Sequence, residues 1–366
     1  MRVGIVGAGA VARRAHLPIY RAIPEIEVVG VADIDQSLAA RVAEEFKIPR
    51  HFSSGKELLQ DNSIELVDIC TPTQTHLDIV KLAAERGKHS LVEKPLATSL
   101  KEALEIKQVI EKNDTKLCVV QNYRYSPAVI AAKKRISQGY LGKIVTIHGL
   151  GLLPFPTHWT LNSWLYHQGG ALYDFGPHLV DMILWMKDFS PIRRVYASGG
   201  DFTQGNMDFV NYAVINIEFE DGSIATADIS WVTGTMSKIA LDIYGTGGNV
   251  FLDVRNNVFF ETHGFPTPFD DIRYFLKKML KVGMAVITGS YFSGANLYYK
   301  NLITEFVSSI NGDGRIPVPV EQAVMTNATL EAAMRSIQQG SPANIRDLLR
   351  EANNVWSGDL RKEIIG

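Results

Sequence analysis

Continuous apolar runs and helical patterns alternate through the first third of the chain. The runs RVGIV, IEVVGVAD, IELVDIC, KHSLVE and KLCVVQN are unbroken by polar alternation, as expected of strands buried on both faces. Between them, at about 10–22, 36–47, 75–86 and 99–113, Ala, Leu and Glu recur at helical spacing. Strands separated by helices predict a Rossmann-like, doubly wound parallel sheet over residues 1–122.

Past Tyr123 the pattern changes. A helical stretch near 126–138 leads into a long strand, KIVTIHGLGLL, then a Pro- and Trp-rich loop (154–169) and a helix at about 170–187. The strands IRRVYASGGDF, FVNYAVINIEFE, SIATADISWV, SKIALDIYG and NVFLDV follow. Asp221-Gly222 and Gly247-Gly248 read as hairpin turns of the kind that need positive φ. Helices near 296–312 and 320–339 close the chain. The prediction for 123–366 is an α+β domain with an open, mostly antiparallel sheet and helices packed on one face.

A chain of 366 residues accommodates these two domains. The formal net charge of −2, with no long run of like charges, excludes the concentrated basic surface of a nucleic-acid binder. The two cysteines, Cys70 and Cys118, sit in apolar runs and read as buried thiols of a reducing compartment. The chain enters a strand at Arg2, which leaves no room for a signal peptide, and it has no apolar span of roughly 18 residues. A cytoplasmic protein without a membrane span is expected.

The first strand ends in GAGAVA, a G-x-G-x-x-A turn. Gly7 permits the tight turn, Gly9 lets backbone approach a pyrophosphate, and Ala12 keeps the helix close to the sheet. Ala10 and Val11 open that helix, whose unpaired N–H groups suit phosphates. The second strand ends at Asp33, 24 residues after Gly9. An acid there accepts hydrogen bonds from ribose hydroxyls and, with Asp35, repels a 2′-phosphate. NAD is therefore the better fit, and Arg13 and Arg14 are the features that would suit NADP.

Ligands of open parallel sheets bind beyond the carboxyl ends of the strands. Those ends carry CTPTQTH (70–76), EKP (93–95) and QNYRYSP (121–127). Thr71, Pro72, His76, Glu93 and Lys94 thereby join the cofactor-binding candidates, with Lys94 on the nicotinamide side. In the second half, Asp174 and His178 stand four apart, so a helix puts them on one face near its amino end, where Pro177 is tolerated. Taken alone they read as a capping aspartate and a core histidine. No third ligand stands at useful spacing, so no metal is expected.

In this order GAGAVA, VADID, CTPTQTH, EKP and GGALYDFGPHLVD resemble the glucose–fructose oxidoreductase/inositol dehydrogenase/MocA (Gfo/Idh/MocA) family, and the likeness covers most of the chain. The resemblance implies an amino-terminal Rossmann domain and a carboxyl-terminal domain whose open sheet makes homodimer or homotetramer contacts. It implies catalytic roles for Lys94, Asp174 and His178. It also implies NAD(P)-dependent hydride transfer from a secondary alcohol of a small carbohydrate: a sugar, cyclitol or nucleotide sugar. His178 would act as base, Lys94 would stabilise the reacting oxygen, and Asp174 would orient substrate or imidazole. Alternatives are an NAD-dependent glycosidase with transient substrate oxidation and a non-catalytic NAD-responsive regulator. Trp164 and Tyr166, in PTHWTLNSWLY, are candidate sugar contacts, as are Arg124 and Tyr125. Two departures from the family stand out: Gln168 in place of a third glycine, and the stretch 262–300, which reads as an oligomer contact, a lid or a membrane-surface helix.

Overall fold

A computed structural model describes residues 1–155, 169–202, 209–234, 237–263, 267–287 and 294–354. The chain divides into two compact units. One comprises Met1–Asn122 with Ala295–Val324, the other Tyr123–Gly294 with Met325–Gly366.

The first unit is built on six strands, β1 (Arg2–Val6), β2 (Glu27–Ala32), β3 (His51–Phe52), β4 (Leu66–Ile69), β5 (His89–Val92) and β6 (Leu117–Val119). They lie in the order β3-β2-β1-β4-β5-β6, and every pair is parallel. The order reverses beside β1, so a crevice opens at the carboxyl ends of β1 and β4. Val3, Ile5, Val67, Ile69, Leu91 and Val92 are fully buried, which is why these strands read as continuous apolar runs.

Helix starts follow local chemistry. Asp35 caps the helix Gln36–Phe46 by accepting from the Leu38 N–H, and Ser99 caps Leu100–Lys112 by accepting from the Glu102 N–H. The helix after the glycine turn contains a π-turn, Ala12–His16, in which the Leu17 N–H reaches back to the Ala12 carbonyl.

Chain order places the late helix near 296–312 in the second domain. In the structure, Ala295–Val324 belongs to the first unit. The Val318 carbonyl accepts from the Val119 N–H at 3.3 Å, and Lys116 donates to the Ser309 carbonyl, so this segment completes the β6 edge.

The second unit holds the strands β7 (Ile144–Leu152), β8 (Ile192–Gly200), β9 (Tyr212–Phe219), β10 (Ile224–Ser230), β11 (Lys238–Gly245), β12 (Asn249–Asp253), β13 (Val258–Thr262) and β14 (Ala343–Asn344). Their order is β13-β12-β11-β7-β10-β9-β8-β14, and only the β7–β10 pair is parallel. The helix Gly176–Met186 covers one face, with Leu179, Met182 and Ile183 fully buried. Two glycines of β7 make room for it. A Cβ at Gly149 would lie 3.0 Å from Ile183 Cδ1, and one at Gly151 would lie 2.4 Å from Phe175 Cε1.

The two predicted hairpin turns differ. Gly222 has φ +83°, whereas neither Gly247 nor Gly248 is in the left-handed region. There the need is space, since a Cβ on Gly248 would meet the Thr262 carbonyl at 3.0 Å. The single helix predicted over 170–187 is two, Ala171–Asp174 and Gly176–Met186. Among the described residues no helix is long and apolar enough to cross a membrane.

Candidate active site

The cofactor edge is assembled where β1, β2, β4 and β5 end. Gly7 takes φ +98°, and a Cβ on it would stand 2.6 Å from the Cys70 carbonyl oxygen, so the protein itself requires glycine there. At Gly9 a Cβ would meet no protein atom within 4 Å. Glycine at that position therefore serves something other than the fold, as close approach of a pyrophosphate does. Ala10 and Val11 follow at the open start of the helix, while Ala12 is buried against the sheet.

Asp33 closes this edge from β2. Its Oδ2 accepts from the Ala8 N–H at 2.8 Å and its Oδ1 from the Asp35 N–H at 2.9 Å, which fixes the carboxylate beside the glycine turn. Asp35 follows, its pKa lowered by hydrogen bonds from the Ser37 hydroxyl and the Leu38 N–H. Two acids at this point favour free ribose hydroxyls over a phosphate. Ile34, between them, is 94% exposed and offers an apolar surface of the kind a base lies against. Sequence reading passed over it; its one signal is an isolated apolar residue between two acids.

The EKP turn is held from beneath by two histidines. His16 lies fully buried in the π-turn; its Nδ1 stands 2.8 Å from Asp68 Oδ2 and its Nε2 2.9 Å from Glu93 Oε1. Both partners are carboxylates, so both ring nitrogens donate and the ring is an imidazolium. Burial alone would push its pKa down, but the charge of Asp68 and its hydrogen bond to the ring hold it well above the usual histidine value. Burial likewise raises the Cys70 thiol to about 12, which keeps it protonated.

His16, Asp68 and Cys70 lie close enough together to ligate a metal. The first two are hydrogen-bonded directly to each other at 2.8 Å. Glu93 in turn accepts from the Lys94 N–H through its Oε2 at 3.2 Å. The Lys94–Pro95 peptide is cis, and Lys94 is half-buried at the end of β5. His16 and Asp68 escaped the sequence reading; the signal was a charged residue inside the apolar run IELVDIC.

His76 is also fully buried. Its Nδ1 lies 3.1 Å from the Pro95 carbonyl and 3.2 Å from that of Leu96, and its Nε2 lies 3.0 Å from the Thr71 carbonyl. Burial lowers its pKa, so the ring is neutral. Its link to the cofactor edge runs through the backbone it staples. Thr71 and Pro72 are half-buried, with the Thr75 hydroxyl within 2.8 Å of both the Thr71 hydroxyl and the Pro72 carbonyl.

In the second unit, the Gly169-Gly170 turn carries φ values of +94° and +66° and starts the helical path that bears Asp174 and His178. Phe175, between the two helices, keeps a helical conformation, so the four-residue spacing puts both groups on successive turns. The His178 ring packs edge-on to Tyr123 at 4.7 Å and near Phe175 at 6.0 Å, which fixes the imidazole between aromatic walls. Asp174 is half-buried and Tyr125 likewise.

Arg124 departs from its expected role as a substrate contact. Its Nε lies 2.7 Å from Asp181 Oδ2 and its second guanidinium nitrogen 2.6 Å from Oδ1, with both side chains about 97–99% buried. The cation also lies 5.5 Å from the Trp185 ring centre and 5.3 Å from that of Phe189. A bidentate fork enclosed in this way holds the helix Gly176–Met186 in place. Trp164 and Tyr166 lie outside the described residues.

Comparisons with known proteins bear on the family and the fold. Residues 1–121 match the model of an oxidoreductase family with an NAD-binding Rossmann fold, and residues 129–251 match the GFO/IDH/MocA C-terminal domain. The chain is 28% identical over 289 residues to levoglucosan dehydrogenase of Pseudarthrobacter phenanthrenivorans, covering 68% of this chain and 73% of that one. It is 28% identical over 259 residues to scyllo-inositol 2-dehydrogenase (NAD(+)) of Bacillus subtilis, covering 69% and 73%. The crystal structure of the WlbA dehydrogenase from Bordetella pertussis, in complex with NADH and UDP-GlcNAcA, shares the fold. Its TM-score is 0.81 at 21% identity, covering 94% of this chain and 97% of that one. The cofactor edge and the paired domain matches lead to one conclusion: the chain belongs to the GFO/IDH/MocA family and is an NAD-dependent dehydrogenase.

Proposed function

We propose that this enzyme oxidises a secondary alcohol of a sugar, cyclitol or nucleotide sugar. Bound NAD supplies the hydride acceptor. Lys94, Asp174 and His178 form the catalytic set in this reading. His178 takes the hydroxyl proton, Lys94 donates a hydrogen bond to the oxygen as negative charge develops, and Asp174 orients the substrate or the imidazole. Thr71, Pro72, Glu93 and Lys94 contribute to the nicotinamide side of the cofactor edge, and Tyr125, Trp164 and Tyr166 are the proposed substrate contacts.

One observation carries the reading. The turn that presents Lys94 is fixed at the NAD edge by two buried histidines, one holding Glu93 and the other holding the Pro95 and Leu96 carbonyls. A merely solvated surface lysine needs no such support. The names of the relatives, levoglucosan and scyllo-inositol dehydrogenases, support the substrate class.

The test is NADH formation against inositols, free aldoses and nucleotide sugars, with Lys94→Ala in parallel. Loss of turnover by roughly 10²-fold or more with NADH binding retained is expected, and near-normal turnover in the variant refutes the role of Lys94. Glycoside cleavage without net NADH would indicate the glycosidase alternative.

Self-association through the second sheet is part of the same reading. Away from the helix Gly176–Met186, the register aligns Tyr196, Asn216, Thr226, His148, Asp242 and Phe251 in one row across six strands. The row is partly exposed and mixes aromatic with polar groups, a composition suited to an interface between copies. Cys70 and Cys118, half-buried and buried and not joined in a disulfide, support a cytoplasmic setting.

A further inference from the structure

The helix Pro268–Ile287 lies in the stretch that departs from the family pattern. Along one ridge Asp270, Tyr274, Lys278 and Val282 are each half-buried and spaced four apart. Tyr274 packs on Phe260 at 5.5 Å, and Lys278 pairs with Asp253 at 3.1 Å. Beyond this ridge and Lys277, which lies 5.8 Å from the Phe259 ring centre, the helix faces outward, and much of what it presents is apolar. Phe269 (75% exposed), Ile272, Phe275, Leu276, Met279 and Leu280 (70%) repeat at intervals of three and four, so they form one continuous stripe. At about 200 Å² for a fully exposed large side chain, the stripe shows roughly 700 Å² of apolar surface. That exceeds the largest patch of a typical monomer, about 300–600 Å².

A second feature runs beside the stripe. Arg273, Lys277 and Lys281, all exposed and spaced four apart, form a basic row along one margin. The helix acids that are exposed or half-buried, Asp270 and Asp271, are confined to its first turn. This row discriminates between occupants. A two-fold, antiparallel pairing of two copies sets each margin against its own counterpart, which would bring Lys277 and Lys281 of one copy towards those of the other. An anionic surface has the complementary charge.

We propose that the helix Pro268–Ile287 docks the enzyme on an anionic lipid bilayer surface. It would lie in the interface plane with Phe269, Phe275 and Leu280 among the acyl chains and Lys277 and Lys281 at the headgroups. A helix of 20 residues extends about 30 Å, long enough to hold a domain against a bilayer without crossing it. The inference is independent of the substrate reading above.

The test is co-sedimentation of the intact protein with phosphatidylcholine vesicles, with and without phosphatidylglycerol. Binding to the anionic vesicles is expected, weakened by salt. It should fall about tenfold or more in Lys277→Glu/Lys281→Glu and disappear in Leu276→Glu/Leu280→Glu. Leu276, Leu280 and Lys281 are exposed and Lys277 gives up one 5.8 Å contact with the Phe259 ring, so both variants keep NADH binding and the melting curve shifts little. Wild-type protein that stays in the supernatant with anionic vesicles overturns the proposal. So does a Leu276→Glu/Leu280→Glu variant that still binds vesicles but has a lower oligomeric mass by light scattering, which would assign the stripe to a second copy.

Discussion

The Nε2 atom of His16 stands 2.9 Å from Oε1 of Glu93, 77 positions later in the chain. One buried ring thus links the helix after the glycine turn to the turn that carries Lys94, with Asp68 holding its other nitrogen. Removing the cation leaves two carboxylates facing each other without compensation. His16→Ala is expected to lose about 3–5 kcal/mol of unfolding free energy in urea titrations. The folded-state pKa of His16 is raised, so its contribution is fully present below about pH 6.5, the unfolded histidine value, and is lost as pH rises through the folded value. Wild-type stability should therefore decline on the alkaline side, and the variant should lack that component of the decline.

Gly7 and Gly9 separate fold from function. Gly7→Ala meets the Cys70 carbonyl and an unfavourable φ, and is expected to cost about 1–3 kcal/mol of stability. Gly9→Ala meets no protein atom, so melting of the ligand-free protein should hardly change while NADH affinity falls. Calorimetry and NADH titration on both variants check this pair.

Asp33 bears on cofactor choice. Asp33→Ala removes the proposed ribose acceptor, which also accepts from the Ala8 and Asp35 N–H groups, and one of two acids proposed to repel a 2′-phosphate. NAD affinity should fall roughly 10–100-fold, equivalent to about 1.5–3 kcal/mol for hydrogen bonds to a charged group. NADP should lose far less, so the ratio of the two dissociation constants narrows. An unchanged ratio would move discrimination away from this residue.

Arg124 and Asp181 make a structural pair, and the substitution pattern should show it. Arg124→Ala strands a buried carboxylate whose pKa burial already raises, at an expected cost of about 3–5 kcal/mol. Replacing both partners by Met and Leu should recover much of that loss, because no charge remains buried. A Michaelis constant that rises in Arg124→Lys without loss of stability would return Arg124 to the substrate site.

His178 carries the proton in the proposed reaction. His178→Ala should lower kcat by roughly 10²–10⁴-fold on whichever polyol proves active, while NADH binding, made by the first unit, stays close to wild type. Rates and binding measured on one preparation decide between a catalytic and a packing role.

The sequence by itself determined the order of the long strands and most of the helices, and it marked the glycine turn. Continuous apolar runs specify strands buried on both faces, and GAGAVA followed by Asp33 needs only local chain geometry to mark a dinucleotide turn. The spacing of Asp174 and His178 was legible for the same reason, being contained within two helical turns. Only tertiary structure decided what those residues touch. Arg124 reads as an available cation until Asp181, 57 positions away, takes both arms of its fork. His16 and Asp68 read as unremarkable until the fold buries them against Glu93. The helix Pro268–Ile287 has an amphipathic pattern, but the pattern does not say which face meets the protein; only packing on β13 leaves the apolar stripe outward. Periodicity is a property of neighbours along the chain, whereas charge pairing and exposure depend on groups that meet only after folding.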